Sequence, residues 1–351
     1  MGKIARNAVK EFRRSQKKQA NARFVNLNSM LGNDWAMFYV ICGGRMTGKS
    51  YSVTDFLVRQ HRRHKENVKN YWLRISETST TALLVNKANK LVDPDLQRKY
   101  NMVLTRKASE VYDHGRLFCT VLPLSGFAKS KGVAFFDKDF KGYYNIVLDE
   151  FQLEQGERRT SFDILYNFIG MLENIARTTK NKVRVFLLGN TLEEASTILK
   201  AFNFLPEKFG RFYLRSKRCV IDNLEPTEEY LKDRQGSLAD ILGGGDMSNY
   251  TNELSKDRRF ITKDRPHIPT AIIKFGKQQK SWYVLYDGKL IRRYKGEKVN
   301  YSIPMRPYLS DVFNKEKKQS IIDMYDANAL LYNNLIDQSY FTEELSRVRK
   351  A

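Results

Sequence analysis

An α/β fold built on a mainly parallel sheet is what this sequence predicts, and three observations predict it. Apolar strand-like runs alternate with helical patterns through the first two thirds of the chain. One such run, residues 36–42, leads into the glycine-rich stretch Gly43-Gly44-Arg45-Met46-Thr47-Gly48-Lys49-Ser50 and then into a helical pattern. Another, residues 143–148, ends in the adjacent carboxylates Asp149 and Glu150. Strands that alternate with helices pair in parallel, and ligands gather at their carboxyl ends.

Taken in order, residues 1–32 form a basic arm, in which eight lysines and arginines from Lys3 to Arg23 face the single acid Glu11. Such an arm can touch nucleic acid or a partner protein, or serve as a solubilising extension. After the glycine loop, Val53, Phe56 and Leu57 keep a helical period, residues 70–75 read as a second strand, and 79–92 read as a helix. Residues 110–112 and 116–122, separated by Asp113-His114-Gly115, give a hairpin signal that Pro123 ends. Phe162, Leu165, Phe168, Ile169, Leu172 and Ile175 define a helix that runs into Arg177, and residues 183–188 form a buried strand that stops at Gly189-Asn190-Thr191. These elements assign 33–224 to the first domain. Residues 225–258 turn polar, broken by Gly243-Gly244-Gly245, and read as a linker or lid subdomain. The last domain, 259–351, opens with strands over 271–275, 281–286 and 289–294, the last two joined by Asp287-Gly288. A helical pattern follows over 321–335.

The pattern G-x-x-x-x-G-K-[ST] has a physical reading. Glycines let backbone N–H groups close round phosphate oxygens, Lys49 reaches the β- and γ-phosphates of ATP, Ser50 sits on Mg²⁺, and the following helix adds its positive end. Residues Gly43, Gly44, Arg45, Met46, Thr47, Gly48, Lys49 and Ser50 are therefore the candidate nucleotide-binding set, against the alternative of a glycine turn with an exposed lysine. Asp149, at a strand end, can hold the magnesium shell beside Ser50, and Glu150 can polarise the attacking water, since hydrolysis needs a base near the metal yet not bound by it. Two acids after a buried strand can also simply open a solvated loop. Asn190 stands where P-loop enzymes with an extra strand between the two motifs read the γ-phosphate; a plain strand-to-loop turn is its other reading. The expected fold class is thus a P-loop NTPase of the additional-strand catalytic-glutamate type.

At 351 residues the chain exceeds what one core usually serves, so two domains are expected, and 42% apolar with 12% aromatic residues makes them globular. A net charge of +22 points to a polyanionic partner, nucleic acid ahead of an anionic membrane, because no apolar run of membrane length and no signal-peptide pattern occurs. Cys42, Cys119 and Cys219 lie far apart without C-x-x-C spacing, which argues against a disulfide framework or a zinc site and fits a reducing cytoplasm. His61 and His64 sit among Arg59, Arg62, Arg63 and Lys65 and read as a solvated basic helix end rather than a metal pair.

The set GGRMTGKS, NYWLRI, PLSGFAKSKG, NIVLDEF and NIARTTKNKVRVFLLGNT, in this order and spacing, resembles the DNA-encapsidation ATPases of phi29-like phages, relatives of the large terminase motors. That resemblance implies a homomeric ring, pentameric in the family. The ring docks on the portal of an empty capsid and drives double-stranded DNA inward with ATP, a structural packaging RNA being among its conceivable partners. It places the chain in the host cytoplasm, transiently at the portal vertex, and outside the mature virion. It also implies active sites shared between subunits: Arg177 matches the arginine finger, its other reading being a cation at a helix carboxyl end, and Lys131 matches a basic position that can reach across the interface. The relatives' C-terminal domain looks like an RNase H-type nuclease. Here its strands carry no carboxylates, and Asp287, Asp311, Asp323 and Asp326 fall in turn, loop or helix, so a vestigial nuclease-like α+β domain is expected. Lys274, Lys277, Lys280, Arg292, Arg293 and Lys295, with Trp282, Tyr283 and Tyr294 interleaved, suit a phosphate-tracking surface or a solvated basic face. Two other functions stay open: a ring-shaped DNA helicase or translocase, and a nucleic-acid-binding scaffold with a nucleotide switch.

Overall fold

The computed structural model describes residues 25–88, 90–127, 137, 139–151, 163–177, 182–190, 197–206, 208–236, 241, 259–263, 269–273, 281–286, 289–294 and 315–350. They divide into two compact units, one within Met1–Phe202 and Pro206–Ser255, the other within Asn203–Leu205 and Lys256–Ala351.

The first unit is an α/β domain on a nine-stranded sheet. Its strands are β1 (Phe38–Cys42), β2 (Val68–Arg74), β3 (Leu104–Lys107), β4 (Glu110–Asp113), β5 (Arg116–Pro123), β6 (Tyr143–Asp149), β7 (Lys182–Gly189), β8 (Gly210–Leu214) and β9 (Cys219–Asn223). They lie in the order β3-β4-β5-β2-β6-β7-β1-β9-β8. The six central strands, β5 to β9 in that order, are parallel. The flanking pairs β3–β4, β4–β5 and β8–β9 are antiparallel hairpins. Helices α1 (Leu27–Leu31), α2 (Lys49–His64), α3 (Glu77–Ala88), α4 (Pro94–Lys99), α5 (Ile164–Ala176), α6 (Thr197–Phe202) and α7 (Glu228–Arg234) complete it.

Strands covered on both faces read as continuous apolar runs, and β1, β6 and β7 do. Helix α2 turns Val53, Phe56 and Leu57 onto the sheet. There the Phe186 ring lies 5.5 Å from Phe56 and 5.4 Å from Tyr39, centroid to centroid. Helix α5 starts where the Asp163 carboxylate accepts the Tyr166 N–H at 3.0 Å, a side-chain cap of the usual kind. Two buried amides face one another across β2 and β6: Asn145 Nδ2 donates to Asn70 Oδ1, and Asn70 Nδ2 donates to the Phe118 carbonyl, both at 2.9 Å.

Three features depart from the sequence reading. Helix α3 ends at Ala88, four residues before the expected stop, and a short helix and strand, α4 and β3, precede the hairpin. The Asp93 cap and Pro94 at the first turn were the available signal for α4. His61 is fully buried rather than solvated, because the period that buries Leu57 brings the residue one turn later to the same face. Its Nε2 accepts from Arg116 Nε at 3.3 Å, and burial first, then the Arg116 charge, pushes its pKa down to about 4. His64, half-buried, lies against Tyr143 at 5.1 Å. The three cysteines are buried thiols.

A buried ion pair ties the domain's first helix to its far strand. Arg211 on β8 holds Asp222 on β9 through Nε at 2.5 Å and Nη2 at 2.7 Å, and both side chains are fully buried. The same guanidinium donates to the Ser29 carbonyl and hydroxyl at 2.8 Å. Removing one partner strands the other's charge in a dry interior. Arg211→Leu is therefore expected to lower the stability of this domain by about 3–5 kcal/mol, read from the shift in its chemical unfolding transition.

The second unit carries a four-stranded sheet, β10 (Pro269–Ile273), β11 (Ser281–Tyr286), β12 (Lys289–Tyr294) and β13 (Leu331–Tyr332), in sequential order. β10 to β12 are an antiparallel meander, and β13 joins β12 in parallel. Helices α8 (Lys315–Asp326) and α9 (Leu335–Lys350) accompany it, with Phe341 packed on Tyr283 at 5.1 Å and on Tyr332 at 5.8 Å. The single helix expected over 321–335 is thus broken. Asn328 adopts a left-handed φ of 54° after α8, and Asn334 caps α9 by accepting the Asp337 N–H at 2.9 Å, so two asparagines stop one helix and start the next. Asp323 and Asp326 lie on α8, while Asp287 and Asp311 lie outside the described residues. So do the triplet at 243–245, the basic arm through Arg23, and Lys274, Lys277, Lys280 and Lys295, together with the side chains of Trp282, Arg293 and Tyr294. Arg292 is described and stacks on Tyr340 at 3.6 Å.

Candidate active site

The glycine loop joins β1 to α2 at the carboxyl edge of the parallel strands. Gly43 N donates to the carbonyls of Gly189 at 3.3 Å and Asn190 at 3.0 Å, so the loop begins pinned to the end of β7. A Cβ at Gly43 would sit 2.8 Å from the Leu224 side chain, and only glycine permits that approach. Gly48, at φ 76°, turns the chain into the helix.

Lys49 is buried and folds back across the loop. Its Nζ donates to the carbonyls of Gly43 and Gly44, each at 2.7 Å, and to Thr47 Oγ1 at 3.4 Å. Burial pushes its pKa down to about 8. A phosphate ligand would offer the ammonium the counter-charge that two neutral carbonyls do not. Arg45 and Met46 are exposed at the loop tip. The Arg45 carbonyl accepts from the Tyr230 hydroxyl on α7 at 2.6 Å, which ties the first helix of the linker stretch to the loop.

β6 delivers the carboxylates. Ser50 Oγ donates to Asp149 Oδ1 at 3.5 Å. These two hard oxygens, one buried and one at the surface, suit an octahedral Mg²⁺ that keeps most of its waters. Burial raises the Asp149 pKa against the opposing pull of Arg74. Glu150 takes a left-handed φ of 54°. The cause is next door: Phe151 is buried and its N–H donates back to the Leu188 carbonyl at 3.2 Å, so the chain bends at Glu150 and turns its carboxylate outward.

Arg74, to which the sequence reading gave no role, belongs here. It ends β2 beside β6 in parallel register, Leu73 opposite Leu148. Its Nη2 holds Asp149 Oδ2 at 2.8 Å while Nη1 holds Glu150. One guanidinium thus occupies both carboxylates. The signal was available, since a strand closing on an arginine beside one closing on Asp-Glu brings opposite charges together wherever the two strands are neighbours.

Asn190 follows β7, half-buried, and its carbonyl accepts the Gly43 N–H. Arg177 lies elsewhere. It follows α5, which returns from the carboxyl edge and spans about 20 Å at 1.5 Å per residue, so Arg177 stands at the amino edge, exposed, at φ 34°. Gly43 to Ser50, Asp149, Glu150 and Asn190 are brought together at one edge of the sheet; Arg177 is not among them. Lys131 lies outside the described residues.

No family model and no curated protein matches the sequence. Among solved structures the chain is similar to the Phi-28 gp11 DNA packaging motor, at 16% identity and a TM-score of 0.63, over 93% of this chain and 98% of that one. It is also similar to the bacteriophage Phi-29 viral genome packaging motor assembly, at 18% identity and a TM-score of 0.60, over 93% and 99% of the two chains. These neighbours bear out the resemblance at the level of the fold, which this chain shares with those packaging-motor structures.

Proposed function

We propose that this protein is the ATP-driven motor of a phage, which moves double-stranded DNA into a preformed capsid as a homomeric ring. The observation that supports the reading is that the candidate site residues fall at two edges of one sheet. The phosphate loop, Ser50, Asp149 and Glu150 converge at the carboxyl edge, and Arg177 stands at the opposite one. In a ring of head-to-tail copies the end of α5, where Arg177 stands, would meet the carboxyl edge of the next copy.

On this reading Lys49 leaves the loop carbonyls for the β- and γ-phosphates, and Ser50 and Asp149 would hold Mg²⁺, which neutralises phosphate charge when bound. Glu150 takes the proton of the attacking water once Arg74 releases it, and Asn190 reads the γ-phosphate. Arg177, from the adjacent copy, stabilises the transferring phosphoryl group. The place of β7 between β6 and β1 supports the additional-strand class. The carboxylate-free strands β10 to β13 support a second domain that is nuclease-like in descent and inactive as a nuclease. The portal of the capsid and a structural packaging RNA are its proposed further partners, at the portal vertex in the host cytoplasm.

The purified chain is expected to hydrolyse ATP faster with blunt duplex DNA than without it, and to leave a labelled duplex unseparated. Strand separation coupled to turnover would replace this reading with a helicase, and nucleotide binding without turnover would replace it with a switch.

A further inference from the structure

The amino edge of the parallel sheet carries a row of cations laid on aromatic rings. At the start of β2, Lys69 Nζ lies 4.6 Å from the Phe140 ring centre. At the start of β7, Lys182 Nζ lies 4.8 Å and the Arg184 guanidinium 4.5 Å from the ring of Tyr143, which opens β6. Arg184 also covers Phe56 at 5.5 Å. In the turn before β9, Arg215 stacks on Trp35 at 4.2 Å, and Arg218 Nε donates to the Trp35 carbonyl at 3.2 Å. Lys217 is exposed in the same turn.

β2, β6, β7, β1 and β9 are consecutive neighbours. At about 4.8 Å between strands their starts span roughly 19 Å, or about six base pairs of duplex rise. Acids are present, and fewer: Asp137 pairs with Lys69 at 3.1 Å, and Asp34, Glu66 and Asp139 are exposed nearby. The positive field is felt by its own neighbours. The Lys182 hydrogen bond lowers the Tyr143 pKa, and after burial it is Arg63, Arg184 and Lys182 that lower that of His64. A merely solvated basic face leaves its side chains free to spread in water; here rings hold several of them in place, which reduces the ordering a ligand must impose.

We infer that this edge, remote from the phosphate loop, is a docking surface for the phosphate backbone of double-stranded DNA. The inference rests on the proposed reading that the chain handles DNA, and it adds a place on the ATPase domain itself. Backbone contact of this kind is insensitive to sequence, as a surface that tracks DNA requires.

The test uses the full chain without nucleotide, so that it stands apart from any failure to hydrolyse ATP. Binding of a fluorescent 30-base-pair duplex is followed by anisotropy across a salt series, for the native protein and for the triple variant Lys182→Gln, Arg215→Gln, Lys217→Gln. Each lost phosphate contact removes about 0.9 from the slope of log K against log salt. The variant is therefore expected to have a slope shallower by about 2.7 and a Kd at 0.1 M salt raised roughly tenfold or more. The charge-keeping variant Lys182→Arg, Arg215→Lys, Lys217→Arg is expected to restore the slope. An unchanged slope in the glutamine variant overturns the proposal. So does loss of ring assembly with DNA affinity intact, which would make the edge a contact between copies, and so does a slope change seen only with duplex RNA.

Discussion

Glu150→Gln is expected to stop ATP hydrolysis and to leave ATP binding in place. The substitution keeps the shape of the side chain and removes only its capacity to take a proton. Lys49, Ser50 and Asp149, which would contact the nucleotide and its metal, are untouched. The backbone at φ 54° is no harder for glutamine than for glutamate. A general base contributes about 10²- to 10⁴-fold, so turnover should fall by at least two orders of magnitude. Phosphate release measures turnover, and titration with a fluorescent ATP analogue measures binding. Turnover within threefold of native would mean that another group activates the water, and the exposed carboxylate beside Arg74 would lose its assigned role.

Arg177→Ala is expected to be as inactive as Glu150→Gln by itself and to regain activity when the two are mixed. Strand β7 has eight residues, Lys182–Gly189, and at about 3.3 Å each it sets its ends more than 20 Å apart. An arginine beyond the amino end cannot serve the loop pinned to the carboxyl end of the same strand. It can serve another copy, and a finger donated in this way is worth about 10³- to 10⁵-fold. In an equal mixture roughly a quarter of the interfaces in a head-to-tail ring pair an intact Glu150 with an intact Arg177. Turnover should recover to about that share of native. No recovery, with mixed rings shown to form, would assign Arg177 to the carboxyl end of α5, where a cation also has a place.

The regions of this architecture that were legible in the sequence are those whose signal is local. The run into GGRMTGKS, the strand into Asp149-Glu150 and the strand into Gly189-Asn190 each announce a buried strand by its apolar residues and its end by glycine or charge. Arg74 and the burial of His61 were missed for the opposite reason. Their surroundings come from elements far away in the chain, β6 for one and the β4–β5 hairpin for the other. Helix α4 had a local signal, Asp93-Pro94, hidden between two stronger patterns. The break of the last helical pattern at Asn328 and Asn334 was masked by apolar residues that fit a helix and, equally, a short strand. The position of Arg177 relative to the loop could be had only from the direction of β7, which sequence alone does not supply.

The paired amides of Asn70 and Asn145 bear on all of this from the other end of the sheet. β2 and β6 are apolar on both faces, so no alternation of inner and outer side chains selects one alignment over its neighbours. A shift of one residue would still bury leucines and valines. It would pull the two amides away from each other in a dry interior, where a lost hydrogen bond is not replaced by water, and it would carry Arg74 past Asp149. The alignment of charge at the carboxyl edge is thus indexed by a neutral contact four residues back along both strands.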